Sequence, residues 1–273
     1  MRTRRFLSVA GIAALVVSSA SAVTAYGVTD LGALVSFDPI TPENVSLVGP
    51  VTGLGIGESV VGMDMRPATN QLYALGSLGN LYTVDKSSGF ATLVGALTVP
   101  LNGTSFGFDF NPTVDRIRIT SNTGQNLRVV PTTAVVAFTD GTLAYRADDV
   151  NAAATPDIVA SAYTNSYGPT APTSTTLYDF DRTLGTLVRQ VPPNAGVLKT
   201  GGSLGITSTV TDADVLSRAG ANRLFVVAQG LTQTEFYAVR VDNGSTDPRG
   251  LFPVGVRVNF FAIDISSNPP GGA

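Results

Sequence analysis

The 273-residue sequence predicts an all-β protein, and specifically a β-propeller of five four-stranded blades. Three observations support this fold class. Short β-type runs alternate with turn residues along the whole chain. A strand pattern recurs at about the 40–50 residues of a propeller blade. The two ends of the chain carry incomplete units that complement each other. A β-sandwich with similar strand lengths is the alternative.

The composition supports a tightly turned β protein. Charged residues make up only 14% of the chain, and there are 29 glycines. Thr- and aliphatic-rich runs favour strands, and frequent glycine favours tight turns. The stretch nearest to a helical pattern, Asp148 to Ala162, is Ala-rich rather than amphipathic. We therefore expect almost no helix.

The recurring unit begins with an apolar strand that has a small residue near its centre. Gly62 takes this place in VGMDM and Gly107 takes it in FGFDF. Ala162 in VASAYT, Gly205 in SLGIT and Ala262 in FFAIDI continue the series. Each of these strands precedes further β runs, such as LYAL, RIRIT or RLFVV. The series therefore predicts one blade after each small residue.

The two chain ends predict how the ring closes. The N-terminal runs TAYGVTD, ALVSFD and VSLVG lack a leading strand, whereas FFAIDIS near the C-terminus has no strands after it. If the last strand joins the first blade, both incomplete units pair and no open sheet edge remains between them. The count is then five blades. Blade four is the weakest, because a Pro/Thr/Ser loop at 166–174 occupies the place of a strand.

The N-terminus has the pattern of a secretory signal peptide. Three arginines lie within residues 2–5, an apolar stretch runs from Phe6 to Val17, and Ala20-Ser21-Ala22 forms a cleavage motif. We expect the mature chain to begin at Val23, to be periplasmic or extracellular, and to have no membrane span after cleavage. The predicted domains are the signal peptide at 1–22, one propeller at 23–267 and a flexible tail at 268–273.

The absence of two residue types excludes several chemistries. The chain has no Cys and no His, which removes thiol nucleophiles, Ser-His-Asp triads and imidazole metal ligands. General acid or base chemistry would fall to Asp, Glu, Lys or Tyr. The net charge of −3, with no basic run after residue 5, argues against nucleic acid as a partner.

No cofactor is predicted, and calcium is the metal that the residue types leave open, since its ligands are oxygens. Acid pairs in apparent turns are the possible ligands, although none fits the D-x-[DN]-x-[DN]-G loop. We interpret them as solvated acids. The pairs are Asp148-Asp149, Asp179/Asp181 and Asp212/Asp214.

Two segments carry a family resemblance. They are VGMDMRPATNQLYALG and SFGFDFNPTVDRIRITSNTGQNLR, the second beginning at Ser105. With the later TTLYDFD segment, they resemble a bacterial secreted family, the domain-of-unknown-function family 4394, from about Tyr26 to Ile265. The resemblance implies a secreted, propeller-like protein. It supplies no activity and no catalytic residue.

Three acids occupy matching places in the repeat. Asp64, Asp109 and Asp264 each lie between two apolar residues. Strand alternation turns each carboxylate to the face opposite its neighbours. A ring of carboxylates around the propeller axis could hold a cation or a polar ligand. Alternatively, each acid accepts hydrogen bonds from backbone or arginine and stabilises the scaffold.

Arginines concentrate in the same two blades. Arg116 and Arg118 share one face of the RIRIT strand, while Ile117 and Ile119 pack beneath it. The arginines could bind a carboxylate or sugar acid, with asparagines reading hydroxyls; alternatively, they pair with the acids and tie blades together. The predicted ligand-binding set is Asp64, Arg66, Asp109, Asn111, Asp115, Arg116, Arg118, Asn126 and Arg128.

The sequence supports three functional hypotheses. The first is a non-catalytic secreted protein that binds a small ligand, a glycan or an envelope protein. The second is a secreted carboxylate-dependent hydrolase or lyase, which needs two acids in an accessible pocket, one with a raised pKa. The third is a structural envelope or matrix protein. No catalytic residue is assigned.

Overall fold

A computed structural model describes residues 23–218 and 221–267; the predicted signal peptide and tail lie outside this part of the chain. Short 3₁₀ turns occur at Pro193–Ala195 and Ile265–Ser267. The strands in chain order are β1 (Ala25–Thr29), β2 (Ala33–Asp38), β3 (Thr41–Pro50), β4 (Val60–Arg66), β5 (Gln71–Gly76), β6 (Asn80–Val84), β7 (Ala91–Ala96), β8 (Phe106–Asn111), β9 (Arg116–Ser121), β10 (Asn126–Val129), β11 (Val136–Thr139), β12 (Ala144–Tyr145), β13 (Ile158–Tyr163), β14 (Leu177–Asp181), β15 (Thr186–Gln190), β16 (Val197–Ser203), β17 (Thr209–Arg218), β18 (Ala221–Gln229), β19 (Thr234–Val239), β20 (Thr246–Leu251) and β21 (Val258–Ile263).

The strands form five sheets arranged as the blades of a propeller. From the innermost strand outward, blade 1 is β21-β1-β2-β3, blade 2 is β4-β5-β6-β7 and blade 3 is β8-β9-β10-β11. Blade 5 is β17-β18-β19-β20. Blade 4 is β13-β14-β15-β16 with β12 added in parallel at its outer edge. The predicted all-β, five-bladed fold is confirmed.

The ring closes as the chain ends predict. Strand β21 pairs antiparallel with β1, and Ala25 lies opposite Ile263 in the register. Blade 1 therefore combines three N-terminal strands with one C-terminal strand. The pairing covers the inner edge of β1, which would otherwise present free backbone groups.

Blade 4 is complete, although its sequence has the weakest pattern. The Pro/Thr/Ser loop does not replace a strand; it connects β13 to β14, which pair from Ile158 to Tyr163. The inner strand of blade 5 also differs from the prediction. It begins at Thr209, and Gly205 lies in the preceding loop with a φ of 66°. The SLGIT segment resembles a leading strand because it is short and apolar, but its glycine serves a turn.

The core lies between neighbouring blades. Blades 5 and 1 share an aromatic cluster in which the Phe37 and Phe252 ring centroids are 4.9 Å apart. Phe236 lies 5.3 Å from both Phe225 and Phe261. Such contacts add about 0.5–1.5 kcal/mol per pair to the burial of apolar area. Because each sheet packs against a blade on both sides, inner strands such as β8 and β13 are buried on both faces, whereas outermost strands such as β7 and β20 are largely exposed.

Each innermost strand begins at one face of the ring, here called the leading face, and ends at the opposite, trailing face. The small residues in these strands allow neighbouring innermost strands to approach one another closely. A Cβ on Gly62 would lie 2.6 Å from Phe108 Cβ, and one on Gly107 would lie 2.2 Å from Ser161 Oγ. No helix among the described residues is long and apolar enough to span a membrane.

Candidate functional site

The propeller axis opens at the leading face into a cavity of about 180 Å³, here called the axial mouth. All five innermost strands contribute at least one residue near their beginning. These residues are Val61, Phe106, Val159, Thr211 and Asn259, and β17 and β21 add Val210 and Phe260. The axial mouth is therefore the place where all blades meet one solvent-facing concavity.

A β-bulge forms at the mouth in four of the five innermost strands. In blade 2, Val60 pairs with Gly76 and Gly62 pairs with Leu75, so Val61 is the extra residue. The same register shift leaves Val159, Thr211 and Asn259 as extra residues in their strands. A bulge interrupts the ladder and re-aims the side chain of the extra residue. In each of these blades the bulged residue lines the mouth, joined in blades 5 and 1 by its neighbours Val210 and Phe260.

Three residues beyond the mouth, the innermost strands bring three acids together at the axis. Asp64, Asp109 and Asp214 follow Val61, Phe106 and Thr211 at the same interval. Extended chain rises about 3.3 Å per residue, so this level lies about 10 Å from the mouth. One carboxylate oxygen from each acid lies within 4.8 Å of the others. We call these three residues the axial acids.

The third axial acid is Asp214 and not Asp264, as the repeat in the sequence suggested. In blade 1 the equivalent position is Ala262, which follows the bulged Asn259 by three residues as Asp64 follows Val61; Asp264 lies two residues further along. Asp264 lies beyond the end of β21, where Asn70 Nδ2 and Lys86 Nζ donate to its two oxygens at 3.0 and 2.8 Å. It ties blade 1 to blade 2.

Each axial acid accepts a backbone hydrogen bond from the next blade. Phe110 N donates to Asp64 Oδ2 at 2.8 Å. Tyr163 N donates to Asp109 Oδ1 at 3.1 Å. In the same way, Ile263 N donates to Asp214 Oδ2 at 2.6 Å. The acids therefore link consecutive innermost strands, which is the scaffold role that the sequence left open.

The environment of the axial acids favours their neutral forms. Burial raises the pKa of Asp64, and the nearby charge of Asp214 raises it further. Burial and the charge of Asp64 do the same for the pKa of Asp109. Burial raises the pKa of Asp214 to about 6. Three carboxyls in contact cannot all ionise without a strong mutual penalty, so this level of the axis retains protons.

The axial acids are the described residues that come nearest to a metal site. Their oxygens are the ligand type that calcium accepts, but calcium takes about six to eight oxygens at about 2.3–2.6 Å. Three carboxyls contain six oxygens at most, and backbone N–H groups already engage an oxygen on each of them. The carboxyls thus suit proton sharing and strand linkage better than a calcium shell.

A second group of predicted site residues lies near the trailing face. Arg66 at the end of β4 pairs with Asp115, with Nε donating to Oδ1 at 2.9 Å. Asn111 Oδ1 accepts from Thr113 N at 2.9 Å and so shapes the turn after β8. Arg116 Nη1 donates to the carbonyl oxygen of Asp115. The pair between Arg66 and Asp115 joins blade 2 to blade 3.

A third group is buried between blades 3 and 4. Arg118 is only 1% exposed. Its Nη1 donates to Asn126 Oδ1 at 2.7 Å and to Asp140 Oδ2 at 2.6 Å, and Nη2 donates to Asn194 Oδ1 at 2.8 Å. Arg128 binds both oxygens of Asp140 at 2.7 and 2.9 Å. The Arg118 guanidinium is thus engaged by other residues of the protein.

The nine predicted site residues therefore separate into three places, and none of them lines the axial mouth. The sequence does not predict the axial mouth, because the valines, threonine and asparagine at its bulges share no residue pattern. Asp214 had a signal: the VTDADVL run alternates acids with apolar residues, as a buried strand does.

The interpretation of two acid pairs as solvated turns is wrong. Asp179 and Asp181 lie in β14, and Asp212 and Asp214 lie in β17. All four are at most 5% exposed. They are buried because each blade packs on both faces, so even the polar face of a strand is covered.

The closed ring of five radial sheets with an axial mouth defines a five-bladed β-propeller. The sequence matches the family described as "Domain of unknown function (DUF4394)" over residues 33–262. The chain belongs to that family. No curated protein matches the chain.

Three solved structures are similar in fold. A putative 6-phosphogluconolactonase from Bacteroides fragilis has 10% identity and a TM-score of 0.45, with 88% of this chain and 84% of that chain covered. The Dos1 propeller has 10% identity and a TM-score of 0.41, with 80% and 54% covered. PorZ, a surface component of the type-IX secretion system of Porphyromonas gingivalis, has 13% identity and a TM-score of 0.38, with 80% and 26% covered. The chain thus spans about a quarter of PorZ and about half of the Dos1 propeller chain.

Proposed function

We propose that this protein is an exported, non-catalytic binding propeller whose ligand occupies the axial mouth. The ligand is a small molecule, a glycan or an envelope protein. The observation that carries the proposal is the set of bulges at Val61, Val159, Thr211 and Asn259, which point to one cavity. Bulges concentrate next to functional sites because they re-aim side chains.

The chemistry of the mouth also supports binding. A feature repeated only for packing would carry similar residues in every blade. At the mouth the bulge recurs in four blades, but the bulged residues differ. Two are valines, one is a threonine and one is an asparagine. Asn259 Oδ1 accepts from Gln229 Nε2 at 3.2 Å, which leaves the donor end of the amide for a ligand. Function commonly resides in such a variable site on a regular scaffold.

The placement of the acids favours binding over hydrolysis. A carboxylate hydrolase needs an acid with a raised pKa in an accessible pocket. Two acids with raised pKa values, Asp64 and Asp109, are 5% and 2% exposed and accept backbone hydrogen bonds. The others, Asp179, Asp212 and Asp214, are also at most 5% exposed. The axial mouth is lined by other residues. A substrate in the mouth would meet hydroxyl and amide groups instead.

Ligand contact by the nine residues chosen from sequence stays a prediction. Their contacts with one another and with neighbouring blades support a scaffold role for the buried members, Arg118 above all. Arg66, Asp115 and Arg116 are more exposed and lie on the trailing face. They provide the comparison site for any binding experiment.

Export is proposed from the signal pattern at residues 1–22. We expect the chain expressed in a bacterium to lose this segment. Intact mass and N-terminal sequencing of the protein from the periplasm or medium should give Val23 as the first residue. An intact N-terminus on protein retained in the cytoplasm would contradict export.

The binding test is a screen of the mature chain against glycan and metabolite panels. Asn259→Ala and Ser105→Ala should weaken any hit at least tenfold, because they remove polar groups that line the mouth. Arg116→Ala is the matched control on the trailing face and should leave affinity unchanged. If Arg116→Ala abolishes binding and the mouth variants do not, the site is misplaced. Turnover of a hit would contradict a non-catalytic role.

The structural envelope hypothesis makes a different prediction. A matrix component should self-associate through exposed surface, whereas a binding propeller needs no partner copy. Light scattering of the mature chain should give the mass of a monomer over a range of concentrations. Growth of the measured mass with concentration would favour the matrix role.

A further inference from the structure

The axial mouth is the middle part of a longer groove on the leading face. A cavity of about 430 Å³ between blades 1 and 2 shares Asn259 and Phe260 with the mouth. A cavity of about 260 Å³ between blades 4 and 5 shares Arg182 and Val210 with it. The three cavities are therefore neighbours that share these residues as walls, and we call them together the leading groove. Its two ends lie at blade boundaries that are not adjacent.

The shape of the leading groove suits a long ligand. A compact metabolite would fill one of the three cavities and leave the other two to solvent. A chain that crosses the axis would contact all three and bury more surface. Ligand sites typically cover most of the surface of what they bind, so the groove fits a chain better than a single small molecule.

The charged groups in the groove are largely satisfied within the protein. Arg182 binds Asp157 through Nε and Nη2 at 3.0 and 2.9 Å. Glu58 accepts from Asn80 Nδ2 at 3.0 Å and from the Tyr82 hydroxyl. Asp30 is the exposed acid at one end. A groove with one exposed acid and an engaged arginine favours a neutral ligand over a polyanion.

The remaining lining alternates hydroxyls with apolar surface. Thr104 and Ser105 lie at the mouth, and Thr183 and Thr207 lie at the far end. Leu31 is 85% exposed beside the first cavity. Sugar units present hydroxyls at their edges and C–H groups on their faces, which matches this mixture. An extended peptide would require a continuous row of free backbone groups, and the bulges interrupt that row.

We propose that the ligand of the proposed binding site is an extended, neutral polysaccharide that lies along the leading groove and crosses the propeller axis. This inference rests on the proposed function of the axial mouth and specifies its ligand class. The sugar at the mouth contacts Asn259 and Ser105. Flanking sugars contact the cavities beside Leu31 and Thr207.

Chain length is the measurement that tests the inference. The mature protein is titrated calorimetrically with neutral β-1,4-glucan, β-1,4-mannan, α-1,4-glucan and chitin oligosaccharides of one to eight units. We expect at least one series to bind with affinity that rises about tenfold or more between two and six units. Polygalacturonate oligomers provide the anionic comparison and should bind more weakly.

Single substitutions distinguish binding at the axial mouth from binding of a longer chain along the leading groove. Asn259→Ala should weaken binding of both the dimer and the hexamer. Leu31→Ser and Thr207→Val, at the groove ends, should weaken the hexamer about three- to tenfold and leave the dimer unchanged. Both end positions are exposed, so folding is preserved, and circular dichroism checks it.

Each outcome decides one claim. Equal affinity for monomer and hexamer, or a hexamer indifferent to both end variants, overturns the polysaccharide inference and leaves the binding mouth intact. Preferred binding of anionic oligomers or of peptides overturns it in the same way. If none of the series binds while a metabolite binds at Asn259, only the ligand class is wrong. Binding that is independent of Asn259 and Ser105 overturns the proposed function as well.

Discussion

At the residue scale, the most informative side chain outside the mouth is Asp179. It is completely buried, and its Oδ1 accepts from Ser161 Oγ at 2.7 Å. Ser161 Oγ lies 2.7 Å from Thr120 Oγ1 in turn. The second oxygen of Asp179 is buried without a hydrogen-bond partner within the described residues. A carboxylate held in this way is costly, so burial raises its pKa to about 7 from an ordinary 3.8.

This shift predicts how stability depends on pH. Because folding raises the pKa of Asp179, its contribution is fully present below about pH 4 and is lost as the pH rises to about 7. Asp179→Asn removes the ionisation. We expect the variant to be more stable than wild type at pH 8, on the order of 3 kcal/mol, and similar at pH 4. Urea unfolding at both pH values measures the difference.

Asp242→Asn is the control for this prediction. Its side chain is 67% exposed, so the substitution should change the free energy of unfolding by less than about 0.5 kcal/mol at either pH. If Asp179→Asn destabilises the protein at pH 8 as much as at pH 4, the carboxyl is not neutral in the fold.

Two arginines on one strand provide a second prediction. Arg118 donates to side chains in the space between blades, whereas Arg116 Nη1 donates to carbonyl oxygens of its own turn. Arg118→Ala should lower the free energy of unfolding by about 3 kcal/mol, since it leaves buried acceptors unpaired. Arg116→Ala should change it by less than about 0.5 kcal/mol. Chemical denaturation of the two variants tests the contrast, and equal effects would contradict it.

At the element scale, the innermost strands are shaped by small residues and bulges together. Gly107 allows β8 to pack against β13, since a Cβ there would lie 2.2 Å from Ser161 Oγ and 2.5 Å from Thr120 Oγ1. A single methyl group would therefore force two innermost elements apart. In four of the five strands a bulge three residues before the axial position turns its extra residue toward the mouth, whereas β8 brings Asp109 to the axis without a bulge.

Gly107→Ala should accordingly destabilise the fold by about 1–3 kcal/mol, the usual cost of overpacking a tight core. The thermal midpoint, measured by circular dichroism, reports the effect. Arg189→Ala, on the exposed side of β15, is a control that should leave the midpoint within a degree or two. A variant as stable as wild type would mean that β8 and β13 separate easily.

At the scale of the whole molecule, stability depends on closing the ring. Strand β21 belongs to the far end of the sequence but forms the inner strand of blade 1. It also contributes Phe261 to the core between blades 5 and 1. Its removal opens the edge of β1 and exposes that core, so the molecule loses both a sheet and an interface.

A chain that ends before Val258 should therefore unfold at lower urea concentration and self-associate through the open edge of β1. Size-exclusion chromatography with light scattering measures the association. A chain that ends after Ser267 retains all of β21 and is the control. If the shorter chain remains a monomer with the stability of the control, closure is not the stabilising element.

Much of the fold could be predicted from the sequence because strands and turns are local. The period-2 pattern of RIRIT and the turn residues around it identify strands, and repetition of that pattern identifies blades. The site could be predicted less well. Asp64 and Asp109 are equivalent as the repeat predicts, but the likeness of Ala262-x-Asp264 to Gly62-x-Asp64 is misleading, because the two motifs are offset by two residues in the register of the sheets.

The sequence by itself determined the fold class, the number of blades and the way the chain ends meet, since these follow from local periodicity and repetition. Only the tertiary structure decided which residues share the axis and which line the mouth. Asp214 joined the axial acids and Asp264 left them because register depends on pairing between distant strands. Burial of Arg118 and Asp179 likewise depends on a neighbouring blade, which no single strand can reveal.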